Sequence, residues 1–94
     1  MATYFLFGTY SAEAVKGISA ARTEKANKLI QKYKGKIISI YALLGNKDLV
    51  IIATFPGIEQ VVKASIAVSK LTGIAFSTSE AIPAKDFDKM VAGI

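Results

Sequence analysis

The chain of 94 residues holds no histidine and no cysteine, is 52% hydrophobic and carries a formal net charge of +5. That length builds one domain, expected over residues 1–94. The missing side chains exclude disulfides, Ser-His-Asp and Cys-His catalysis, and the commonest metal ligand.

In chain order, Ala2–Tyr10 is bulky on both faces, with Tyr4 and Leu6 on one and Phe5 and Phe7 on the other. It reads as a first strand buried on both sides. Ser11–Ile18 is small and polar and is expected to form a turn or a short frayed helix. Ser19 can cap a longer helix to about Tyr33, with Ala26, Leu29, Ile30 and Tyr33 inward and Lys25, Lys28 and Lys32 outward. Gly35 is expected to end it. Lys36–Leu44 and Leu49–Phe55 are aliphatic strands joined through Gly45, Asn46, Lys47 and Asp48, residues suited to a hairpin.

Pro56 and Gly57 break the chain. Ile58–Thr72 reads as a helix with Ile58, Val61, Val62, Ser65, Val68 and Ser69 on one side, stopped by Gly73. Ile74–Ile82 alternates as a fourth strand ended by Pro83. Asp86–Val91 is a short helix whose apolar side is Phe87, Met90 and Val91. The order is βαββαβ plus a terminal helix. It predicts an α+β, ferredoxin-like sandwich with a four-stranded antiparallel sheet.

Two helices cover only one face of such a sheet, yet the first three strands are apolar on both. Burying a large side chain stabilises by roughly 1.5–3 kcal/mol. Half a dozen of them outweigh an association cost of about 4–15 kcal/mol. A homodimer through the sheet face is therefore expected, with higher oligomers open.

The positive charge lies in Lys16, Arg22, Lys25, Lys28, Lys32, Lys34 and Lys36, against Glu13 and Glu24. It reads as a solvated helix face. Without interleaved aromatics, nucleic acid is not expected as a partner. The apolar start of the chain is too short to span a membrane, and a cytoplasmic protein is expected. Gly8, Gly17 and Gly35 are isolated, so no phosphate loop is present. The acids are scattered, and neither a cofactor nor a metal is expected.

Several stretches resemble the GYD-domain family, within the dimeric α/β-barrel group. Ser19–Arg22 resembles its Ser-Pro-x-Arg helix start, and Gly35–Tyr41 its Gly-Gly-strand-Tyr stretch. Gly45–Asp48 resembles the signature Gly-x-Tyr-Asp, with Lys47 where the tyrosine stands. Phe55–Glu59 resembles its Pro-Asp-x-Glu helix start, with Gly57 in place of the acid. Thr72–Thr78 resembles its last strand. The resemblance implies fold and assembly more than activity.

Arg22, Tyr41 and Asp48 are the candidate ligand-binding residues. Arg22 falls near the inward face of its helix and calls for an anion or a carboxylate, with Asp48 the candidate partner. Asp48 is the candidate catalytic base, and equally a cap for the hairpin. The reading of function is a small homo-oligomeric protein that binds an anionic or aromatic ligand beside the sheet. The alternatives are a cofactor-independent monooxygenase or isomerase, and a regulatory or assembly module.

Overall fold

The computed structural model describes all 94 residues. Its elements are β1 (Ala2–Tyr10), α1 (Ala12–Lys16), α2 (Ala20–Lys32), β2 (Lys36–Ala42), β3 (Leu49–Phe55), α3 (Ile58–Thr72), β4 (Ile74–Ala81) and α4 (Ala84–Val91). The strands form one sheet in the order β2-β3-β1-β4. All three pairings are antiparallel.

The period of two along β1 and β3 decides the core. Tyr4 and Leu6 from β1 and Ile51, Ala53 and Phe55 from β3 point to the helical side. They meet Ile30 of α2 and Val61, Ala64 and Val68 of α3. Tyr4 packs edge to face on Phe55, with centroids 6.0 Å apart. The small side chain of Ala64, fully buried, leaves room for α3 to settle against its neighbours.

Ser19 and Gly73 cap where the sequence places them, and Ser11 is a further cap that the structure adds. The Ser11 hydroxyl accepts from the Ala14 amide and starts α1, and Ser19 does the same for α2 through the Arg22 amide. Gly73 closes α3 in the left-handed conformation at φ 76°.

Four expectations need correction. Gly35 does not supply the left-handed turn after α2; Lys34 does, at φ 66°. Gly35 serves close approach instead: a Cβ there would collide with the Phe55 ring and lie 2.7 Å from Ile30 Cγ2. β2 stops at Ala42 rather than Leu44, so the connection to β3 is wider than a four-residue turn. The inward face of α3 is Val61, Ala64, Val68 and Thr72. Ile58 and Val62, 68% and 46% exposed, point outward, because the layer below meets residues spaced three and four apart from Val61. α4 begins two residues early, at Ala84, directly after Pro83.

A register shift between Ile37 and Ser39 bends β2 and turns Ile38 to solvent. Beyond it, Ile40 faces Ile51 on the helical side and Tyr41 faces Val50 on the other.

Candidate functional site

The end of β1, the start of α2 and the β2–β3 connection converge on Tyr10. Asp48 fastens that junction at three points. Its amide donates to the Gly8 carbonyl at 2.9 Å, and its carbonyl accepts from the Leu43 amide at 2.9 Å. Its Oδ2 accepts from the Tyr10 amide at 2.8 Å. The β1–β3 ladder has its last pair at Gly8 and Leu49. Tyr10 lies two residues beyond, and the Asp48 carboxylate takes the place that a strand carbonyl would hold. A charged acceptor makes this bond stronger than the neutral bond it replaces.

Arg22 approaches Tyr10 from the other side. A cation in the first turn of a helix is unfavourable, and here the side chain leaves the helix axis. Nη1 donates to the Ala14 carbonyl of α1. The guanidinium carbon lies 5.8 Å from the Tyr10 ring centroid, within cation–π range. Gly17 makes room for it, since a Cβ there would sit 2.9 Å from Nη1. The guanidinium has five N–H donors, and Ala14 is the side chain's one hydrogen-bond partner in the chain.

Arg22, Thr23 and Tyr10 edge a cavity of about 50 Å³ between α2 and the sheet. Its walls are apolar, among them Ala26, Ile30, Ile51, Ile74 and Phe76. Thr72 also lines it, but the Thr72 hydroxyl is already bonded to the Val68 carbonyl and the Ile74 amide.

The three candidate residues occupy three different places. Arg22 lies at the cavity. Asp48 lies in the clasp, and is not among the residues that line the cavity. Tyr41 is on the opposite face of the sheet, 57% exposed. The expected Arg22–Asp48 ion pair is not formed, and the one ion pair within the chain joins Lys63 to Glu59 on α3. The Tyr10 amide holds the carboxylate and the Ala14 carbonyl holds the guanidinium. Tyr10, which both residues touch and which lines the cavity, reads in the sequence as one of four tyrosines, with Tyr4, Tyr33 and Tyr41, able to offer a phenol to a pocket or simply to pack. What sets it apart in the structure is its place at the end of a strand immediately before the Ser11 cap.

The far face of the sheet is a second surface. Register places Thr3, Phe5, Phe7 and Thr9 of β1 there, beside Tyr41, Val50 and Ile52 and the small residues Ala75, Ser77, Ser79 and Ala81. Phe5 and Phe7 lie against each other at 6.2 Å. Lys36, opposite Thr54 at a corner, is the charged residue on this face. Lys25, Lys28 and Lys32 are exposed on α2, as expected. No helix is long and apolar enough to cross a membrane.

Strand order, pairing and helix placement define a ferredoxin-like α+β domain. The same fold appears in the crystal structure of the leucine response regulatory protein of Mycobacterium tuberculosis. The two superpose with a TM-score of 0.58 at 8% identity, over 87% of this chain and 51% of that one. This chain therefore spans about half of that protein's length. No curated protein matches the sequence. The GYD-domain family model matches residues 4–91, and the chain belongs to the GYD-domain family.

Proposed function

We propose that this GYD domain is a cytoplasmic binding module that works as a homodimer and holds a small anion at Arg22. The observation that carries the reading is a half-buried guanidinium, unpaired with any carboxylate, at the edge of an apolar cavity. Such a group favours a planar anion that it can grip through two N–H bonds. A water molecule needs about 10–15 Å³ of such space, and drug-sized ligands occupy roughly 300–1,000 Å³. The cavity of about 50 Å³ therefore suits a short-chain carboxylate.

Binding is favoured over catalysis by the position of Asp48. To act as a base it would have to release the Tyr10 amide and enter a cavity that it does not line.

The test is an NMR titration of the protein with acetate, propionate and, as an uncharged control, propanol. The carboxylates are expected to shift the Tyr10, Ala14 and Arg22 signals, with no effect in Arg22→Met. Shifts that persist in Arg22→Met, or none with either carboxylate, overturn the site.

The homodimer rests on the open sheet face. Phe5, Phe7 and Ile52 are half-buried there and Tyr41 is exposed. Because these side chains partly shield one another, each gains about half of the usual 1.5–3 kcal/mol on being covered. Four from each protomer then contribute about 6–12 kcal/mol, comparable with the cost of association. Sedimentation of Phe7→Glu checks this. It is expected to be monomeric with unchanged secondary structure where the parent is a dimer.

A further inference from the structure

α4 is an amphipathic helix with nothing beneath it. None of its residues is buried, and it makes no extended contact with any other element. The radius of gyration is 14.3 Å, where a compact chain of this length has about 12–13 Å. At 100° per residue, Phe87, Met90 and Val91 fall on one side, and Lys85, Asp88 and Lys89 on the other. Phe87 is 51% exposed and Met90 66%. A helix this short is marginal in water without a partner for its apolar side.

The root of α4 adjoins the open sheet face. A hollow of about 170 Å³ is lined by Thr3, Phe5, Ala81, Ile82 and Pro83. Thr3, Phe5 and Ala81 belong to that face, and Ile82 and Pro83 lead directly into α4. Whatever covers the face also meets the base of the helix.

The size of the face says what more is needed. Four strands about 4.8 Å apart and about 23 Å long present a patch of roughly 450 Å² per protomer. Two such patches total about 900 Å², below the roughly 1,200 Å² at which stable, specific interfaces begin. The apolar side of α4 adds roughly 300 Å² per protomer, on the scale of 150–250 Å² for one aromatic side chain. Two arms and the surface they cover carry the total past that threshold.

We infer that α4 is an arm that packs its Phe87, Met90 and Val91 side on a second copy of this chain. The inference rests on the sheet-face pairing proposed above. Two-fold symmetry then gives each protomer one arm given and one received.

Sedimentation equilibrium separates the two ideas. The full chain is compared with a chain ending at Pro83 and with the double variant Phe87→Ser, Met90→Ser. The full chain is expected to be a dimer, and both altered chains to dissociate at least tenfold more readily. The double variant covers the case in which the shortened chain fails to fold. A full-chain dimer whose affinity is unchanged in the double variant overturns the arm and leaves the sheet pairing intact. A full chain that stays monomeric overturns the sheet pairing, and the arm with it. Isotope-filtered NMR on a mixed labelled and unlabelled dimer gives a direct readout. Contacts from the Met90 methyl to the other protomer support the arm, and contacts confined to its own protomer overturn it.

Discussion

Asp48 and Tyr10, 38 residues apart in sequence, are joined by a 2.8 Å hydrogen bond from the Tyr10 amide to the Asp48 carboxylate. That bond extends the β1–β3 contact past the last regular pair. A hydrogen bond to a charged acceptor contributes about 1.5–3 kcal/mol. Asp48→Ala is expected to lower stability by about that amount in urea denaturation. Asp48→Asn keeps an acceptor oxygen and is expected to lose about 1 kcal/mol or less. Equal losses for the two would show that the oxygen is not what matters.

Gly35→Ala places a methyl group against the Phe55 ring and Ile30. Overpacking of this kind costs typically about 1–3 kcal/mol. The melting temperature is expected to fall, and Phe55→Leu in the same chain to restore part of the loss. A neutral Gly35→Ala would refute the close approach.

Lys34 holds a left-handed conformation that glycine adopts freely. Lys34→Gly is expected to stabilise the protein by about 0.5–1 kcal/mol, because relief of strain exceeds the greater flexibility of the unfolded chain. A fall in the denaturation midpoint would contradict this.

Arg22 ties α1 to α2 through the Ala14 carbonyl. A helix of five residues has little stability of its own. In Arg22→Met, amide exchange is expected to speed up across Ala12–Gly17 while the core strands keep their protection. Unchanged exchange in α1 would mean that the Ser11 cap alone holds it.

The open sheet face carries Lys36 as its only charge, at a corner. Dimer affinity is therefore expected to vary little between low and high salt, because apolar burial is not screened. A tenfold strengthening at high salt, where screening relieves repulsion between like charges, would point to the lysine face of α2 as the interface.

How much was legible in the sequence differs by element. β3 and α3 match their expected bounds because each lies between strong breakers: Asp48 and Pro56 for the strand, Gly57 and Gly73 for the helix. The faces of β1 followed from alternation alone. Ile58 and Val62 are apolar and yet turn outward, because only the position of the sheet beneath α3 decides which apolar residues face it. The Arg22–Asp48 pair follows in the sequence from opposite charge and from the inward position of Arg22 on its helix. Charge does not reveal that a strand amide two residues past the end of a ladder needs an acceptor. The junction role of Tyr10 is hidden for the same reason, since it comes from where three elements meet.

The Asp48 clasp has a further consequence. The bond between the Leu43 amide and the Asp48 carbonyl closes the connection at its base. What lies beyond is an open tip: Leu44 is fully exposed, and nothing lies within 4 Å of the Gly45 Cβ position, although Gly45 at φ 124° must itself stay glycine. The family signature thus divides into a fastener, Asp48, and a removable insert. Lys47, partly buried, stands where the signature has tyrosine. Between Gly45 and Asn46 is where an epitope tag or a fluorophore-bearing cysteine can be grafted into this otherwise cysteine-free chain.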